Sequence, residues 1–207
     1  MSSHKLNYFS IPASGARGFV PRVALRSAAA DGKISSFEDN RITFADWPTV
    51  KASGIAPLGQ MPFLEVNGSV ICESVPISAY SCKIAGLYPT DPFEALKQDE
   101  VVAIIDEAWN LVAKTSKDQP ETRIAYANEV SPKFLKVVES RLGDSTFFNG
   151  SSPGFADLWV YVYVSFLTCG FFDHIPTDFV ERAAPKVAEL AKRVKGSELY
   201  TKFGTPE

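Results

Sequence analysis

The sequence predicts an α/β domain of order βαβαββα over residues 1–86, a linker at 87–93, and an all-α helical bundle domain over 94–207. Three observations predict it. Strand-like and helix-like runs alternate through the first 86 residues. Asn67-Gly68 joins two short apolar runs, "FLEV" and "SVIC", and Asn-Gly between such runs is the strongest short-range hairpin signal. The turn-rich stretch "GLYPTDPFEA" (86–95) is followed only by patterns of helical period.

"KLNYF" (5–9) reads as the first strand. "FVPRVALRSAAA" (19–30) is helical, because Pro21 is tolerated only in a first turn. "KISSFEDNRI" (33–42) reads as a second strand and "DWPTVKAS" (46–53) as a short helix before the hairpin. "VPISAYSCKIAG" (75–86) is a helix with Ser74 as N-cap, Pro76 in the first turn and Gly86 at its end. Beyond the linker, "EALKQDEVVAIIDEAWNLVAK" (94–114) repeats apolar residues at three- and four-residue spacing. "ETRIAYANEVSPKFLKVVESRL" (121–142) is helical with a kink or restart at Pro132. "FADLWVYVYVSFLTCG" (155–170) is apolar on nearly every face, which places it at the centre of the helical domain. "APKVAELAKRVKG" (184–196) is amphipathic and closed by Gly196.

The composition restricts the function. A net charge of -3 and a pI near 5.5 offer no basic surface for nucleic acid or an anionic membrane. The first residues lack the apolar core of a secretory signal, and the run at 158–172 is too short and too polar to span a bilayer. Three cysteines without close pairing read as reduced thiols in a cytoplasmic protein, with Cys72 and Cys82 as small buried apolar residues. With only His4 and His174, no metal site is expected.

Two details of "GQMPFLEVNGSVICES" (59–74) need a reason: Pro62 at the mouth of a strand, and the polar pair Glu73-Ser74 where the next strand ends. Locally, a trans proline and a capping serine would account for both. Taken with "LNYF", Arg17 and Arg22, "DWP" with Lys51, "SPKFLKVVESRL", and "FFNG" leading to "FADLW", the order and spacing resemble the cytosolic glutathione transferases, nearest the sigma-like branch of the tyrosine-type classes. The match spans nearly the whole chain.

The resemblance implies a thioredoxin-like first domain and a glutathione site within it. It makes Pro62 cis, leaving the Met61 backbone to pair with the cysteinyl unit of glutathione like an added strand. Ser74 and the first N–H groups of the following helix would bind the γ-glutamyl carboxylate. Trp47 and Lys51 would hold the glycyl end, and Gln60 would support the peptide. Tyr8 would donate its hydroxyl to the thiolate, with Arg17 as helper. An ordinary thiol has a pKa of about 8.5, so bringing it near 6.5 takes roughly 2.7 kcal/mol of preferential thiolate stabilisation. A hydroxyl donor in a partly dry, electropositive cleft can supply that.

Four departures from the family pattern follow. The loop between Phe9 and Arg17 is about three residues longer and brings two rival hydroxyls, Ser10 and Ser14. The stretch between Lys51 and Gln60 is about two residues longer. The usual Gln before Ser74 is Glu73, and the usual Asp reaching the γ-glutamyl amine from the neighbouring subunit is Asn110, one turn beyond Asp106. The last two read as one compensated exchange of a carboxylate. At the start of the helix over 155–170 the family's capping Ser or Thr is Gly154, so Asp157 reads as a structural group.

The resemblance therefore implies an enzyme with glutathione as co-substrate and no metal, conjugating small hydrophobic electrophiles, and a homodimer with Leu58 as an apolar key. The electrophile pocket falls to the 10–16 loop, Trp109, Ala113 and the tail near Phe203. Two alternatives stay open: a glutathione-dependent isomerase of the prostaglandin D synthase kind, and a non-catalytic protein on the same scaffold. Retention of Tyr8, Trp47, Lys51, Gln60, Pro62 and Ser74 together argues against the last.

Overall fold

Alternating apolar residues at the N-terminus form β1 (Ser3–Phe9) in the computed structural model of the protein, which describes residues 2–11 and 16–204. The chain divides into two units. The first holds the chain up to Tyr88 together with the segment that begins at Glu198; the second is Pro89–Ser197.

In the first unit the sheet order is β2-β1-β3-β4. β2 (Ser36–Ile42) runs parallel to β1, in a register that sets Tyr8 beside Arg41. β3 (Phe63–Val66) is antiparallel to β1, and β4 (Ser69–Cys72) is antiparallel to β3. Asn67 (φ 47) and Gly68 (φ 85) both take positive φ, as a two-residue hairpin turn of this twist requires. α1 (Phe19–Ala30) connects the parallel strands and buries Phe19, Val20, Val23 and Ala24. α2 (Trp47–Ala52) is a short exposed helix. α3 (Ser74–Ala85) packs against α1 and stops at left-handed Gly86, where Leu87 N–H closes on the Cys82 carbonyl at 2.8 Å.

One detail differs from the sequence reading. Ser74 is the first helical residue of α3, and the N-cap is Glu73, with φ 76 and ψ 120. The cap is the residue whose backbone has not yet turned helical, and here that backbone belongs to Glu73. The Ser74 hydroxyl, freed from capping, is used elsewhere.

The second unit is all helical. α4 (Pro92–Val112) starts inside the predicted linker, because the Asp91 carboxylate accepts from Phe93 N–H and Glu94 N–H at 3.0 and 2.9 Å. α5 (Pro120–Ala125), a π-helical turn (Tyr126–Val130) and α6 (Ser131–Leu142) form one path. The wide turn sits where Pro132, lacking an N–H and crowding the carbonyl one turn back, disrupts the regular ladder. α7 (Phe155–Thr168) is buried almost throughout, as its all-round apolarity predicts. Its Tyr163 hydroxyl is met by Tyr126 at 2.6 Å and Ser131 at 2.9 Å.

Two helices escaped the sequence reading: α8 (Phe179–Ala183) before α9 (Pro185–Lys195), and α10 (Glu198–Phe203). Each is too short to show a period. α10 belongs with the first unit: Tyr200 lies 6.1 Å from the Phe19 ring, and Arg26 Nη1 donates to the Phe203 carbonyl at 3.4 Å. Among the described residues no helix is long and apolar enough to cross a membrane. Cys82 is buried as expected, whereas Cys72 is half-buried and Cys169 exposed.

Candidate active site

The site is built at the end of β1. Tyr8 is 5% exposed, and its ring lies against Gly18, the N-cap of α1; a methyl group on Gly18 would overlap that ring. The position therefore admits only glycine without displacing Tyr8. Burial pushes the Tyr8 hydroxyl up to about 12, against the opposing pull of a backbone hydrogen bond from Arg17 and the charges of Arg17 and Arg22. Tyr8 is thus a proton-bearing donor throughout the neutral range, suited to stabilise an anion and unsuited to act as a base.

Arg17 follows Ala16, whose φ of 71 turns the chain back toward α1. Its guanidinium does not stop at the tyrosine: Nη1 donates to the Ser74 hydroxyl at 2.9 Å. One residue thus ties the end of β1 to the start of α3. There the buried Ser74, the first-turn amides and a guanidinium converge, an arrangement suited to a carboxylate.

The other predicted residues lie along α2 and the segment entering β3. Trp47 opens α2 and sets its ring edge-on to Phe9 at 5.7 Å. The lengthened stretch after α2 does not carry Lys51 away: its side chain lies along Gly59, next to Gln60. The Met61–Pro62 bond is cis, and the β1–β3 ladder stops at Phe63, so the Met61 backbone lies beyond it. Glu73 is exposed, and its side chain makes no capping bond. Asn110, on α4 in the second unit, donates to Asp106 at 3.2 Å. Of the rival hydroxyls, Ser10 is exposed and extends the parallel ladder through its N–H to Ile42; Ser14 lies outside the described residues.

Sequence reasoning missed a charged cluster beside Tyr8. The Asp39 carboxylate receives Arg22 Nε at 3.0 and 2.9 Å, Arg26 Nη2 at 3.3 Å and Arg41 Nε at 3.0 Å. A signal existed. Arg22 and Arg26 are four apart on one helix, and Asp39 and Arg41 two apart on one strand, so each pair shares a face.

In the helical unit Asp157 is fully buried and accepts from three backbone N–H groups: Phe148 at 2.8 Å, Asn149 at 3.3 Å and Gly154 at 2.9 Å. It fastens the turn before α7 to that helix's N-cap, Gly154.

Comparison with known proteins identifies the family. Residues 104–199 match the family described as Glutathione S-transferase, C-terminal domain. Hematopoietic prostaglandin D synthase of Gallus gallus is 32% identical over 163 residues, covering 77% of this chain and 76% of that protein. The chain belongs to the glutathione S-transferase family. The likeness runs across both units: a glutathione S-transferase of Anopheles gambiae is 29% identical over 210 residues, covering 96% of this chain and 93% of its own. The solved structure of rat hPGDS complexed with a quinoline superposes with a TM-score of 0.76 at 26% identity, over 99% of this chain and 98% of that one. Family membership accounts for the small mixed sheet followed by a helical domain.

Proposed function

We propose that this chain is a tyrosine-type glutathione transferase of the sigma-like branch, working as a cytoplasmic homodimer. The observation that carries the reading is the junction at Tyr8: a buried, protonated hydroxyl, hydrogen-bonded to the backbone of a residue whose guanidinium reaches Ser74 at the start of α3. Glutathione lies along the first unit. The Met61 backbone pairs with its cysteinyl unit, Lys51 with its glycyl carboxylate beside Trp47 and Gln60, and Ser74 with Arg17 and the α3 amides with its γ-glutamyl carboxylate. Tyr8 donates to the sulfur, so the thiol releases its proton to solvent and persists as the nucleophilic thiolate. The thiolate pair forms a C–S bond to an electrophilic carbon, and the displaced pair leaves with the departing group or the opened ring oxygen.

A glutathione-dependent isomerase is the second reading, favoured by the 32% identity to the Gallus gallus synthase. It uses the same thiolate to open an endoperoxide and then releases it, so that glutathione is not consumed. In either case the second substrate is hydrophobic. The helical unit offers an aromatic cluster, with Trp109 stacked on Phe166 at 4.9 Å and Phe172 edge-on to Phe166 at 5.0 Å. Retention on immobilised glutathione, followed by ultraviolet titration of the bound thiol, tests the shared core of both readings. Absence of binding would reverse them in favour of a non-catalytic protein.

Assembly supplies a further expectation. The first unit exposes Leu58 (57%), and α4 exposes Phe93 (66%) and Leu96 (59%), large apolar residues that a dimer of this family would cover. Sedimentation at micromolar concentration should give twice the chain mass; a monomer would remove Asn110 from the site.

The Glu73 and Asn110 departures form one proposal. An ammonium in a cleft needs a nearby anion. Glu73, held outward at a left-handed cap without a capping bond, takes over part of that role from the Asn110 position. Glu73→Gln should weaken glutathione binding by about 1–3 kcal/mol, and Asn110→Asp should restore much of it in that background. If Glu73→Gln is neutral in a double-mutant cycle on affinity, Glu73 is only a variant cap.

A further inference from the structure

Asp39 holds one negative charge, and three guanidiniums share it. A single Arg–Asp pair would be enough to pin α1 to β2. Instead Arg22 is 2% exposed, and its Nη2, like that of Arg41, is buried with no hydrogen-bond partner among the described residues. A guanidinium kept from water with a donor unused is costly unless its charge is employed.

The cluster's position says where. Residues opposite each other in a parallel pair share a face of the sheet, and Tyr8 is opposite Arg41. Leu6, on the same face two residues earlier, is opposite Asp39. Gly18, against which the Tyr8 ring lies, is one turn before Arg22, whose N–H donates to the Gly18 carbonyl at 3.2 Å. The cluster therefore backs Tyr8 from both α1 and β2. The other charged groups at this end include Arg17, the exposed Glu73, and Asp46 and Lys51 at the two ends of α2. β3 contributes none there: its last paired residue is Phe63, and Glu65 is engaged by Asn7, which points to the other face.

We infer that the arginine cluster on Asp39 is a positioning device for ionisation: Arg22 and Arg41 hold unquenched positive charge behind Tyr8 and lower the pKa of the thiol bound in front of it. This rests on the reading of the first unit as a glutathione site. A hydrogen bond acts at contact, whereas a fixed charge in a poorly solvated position acts over several ångströms and favours the anion whichever group donates to it. The carboxylate at the centre tempers the effect, so the cluster can be tuned in both directions.

The test is the pKa of glutathione bound to the full-length protein, read by ultraviolet titration of the thiolate and by the pH midpoint of kcat/KM with an aryl halide. Arg41→Gln removes one positive charge and should raise that pKa by about 0.5–1 unit. Asp39→Asn removes the tempering charge and should lower it by about as much. Arg41→Lys keeps the charge and should leave it near the wild-type value. Loosened packing cannot produce shifts of opposite sign. Should Asp39→Asn not fold, the contrast between Arg41→Gln and Arg41→Lys decides alone. If Tyr8→Phe moves the pKa while neither cluster variant does, or both move it the same way, the cluster is structural and the inference falls while the Tyr8 reading stands. If the cluster variants move it oppositely and Tyr8→Phe does not, the inference holds and the donor has been misassigned. If none of them moves it, both fail.

Discussion

Replacing Tyr8 with phenylalanine should lower turnover about 30- to 200-fold at neutral pH, the equivalent of 2–3 kcal/mol of lost thiolate stabilisation. Glutathione affinity should change little, because the proposed site holds the peptide at Met61, Lys51 and Ser74, none of which the substitution touches. The sign of the pH dependence follows from the same account. Without the donor the bound thiol returns toward its ordinary pKa of about 8.5, so the deficit should be greatest near neutrality and shrink as pH rises past that value. The wild-type hydroxyl, pushed up to about 12 by burial, keeps its proton across this range and gives no limb of its own. Steady-state kinetics from neutral pH to about pH 9 would show both features. Near-full activity in Tyr8→Phe, with loss in Ser10→Ala or Ser14→Ala, would move the donor into the lengthened loop and make this a serine-type site.

The second large effect concerns stability. Asp157→Ala leaves the N–H groups of Phe148, Asn149 and Gly154 without their acceptor, the last of them buried and the other two partly so. We expect a loss of about 3–5 kcal/mol, since each buried orphan donor costs about 1–3 kcal/mol. At about 2–4 °C per kcal/mol for a chain of this size, the melting temperature should fall by roughly 10–15 °C. Asp157→Asn keeps one oxygen and should lose less. Burial pushes the Asp157 carboxyl up to about 6, above the ordinary carboxylate range, in spite of the three N–H bonds. A folded-state pKa above the unfolded one favours the native state most when the group is protonated. This group's contribution is therefore fully present below about pH 4 and is lost as pH rises through about 6. In Asp157→Asn that slope should vanish, and denaturant midpoints measured between pH 4 and 7 would reveal it.

The elements most legible in the sequence are those whose signals are local. Asn67-Gly68 specified its own turn, the apolar runs around it became β3 and β4, and the nearly all-round apolarity of 155–170 became the buried α7. Pro132 predicted an irregularity, and the wide turn just before it is the form that irregularity takes. Family resemblance supplied the cis bond at Pro62, since most X-Pro bonds are trans and nothing local marks the exception. What was not legible depends on partners distant in sequence. Asp39 looks like an ordinary strand-face acid until the parallel register sets β2 against β1 and brings α1 over both. The capping role at α3 went to Glu73 because backbone conformation, not hydroxyl chemistry, decides which residue is the cap. Gly18 is unremarkable in "SGARGF" and becomes obligatory only because an aromatic ring rests on it.

α10 is made after the whole helical unit, yet its partners are Phe19 and Arg26, made about 180 residues earlier. During synthesis the contiguous helical unit is complete while the sheet-bearing unit still lacks a piece of its own surface. A nascent chain paused before Glu198, or a mature chain clipped there by a protease, leaves the otherwise fully buried Phe19 without part of its cover. That loosens the first turn of α1, which begins at Gly18 under the Tyr8 ring and carries Arg22 one turn on. Removing α10 is thus a route by which proteolysis silences the proposed chemistry without contacting a residue of the proposed glutathione site.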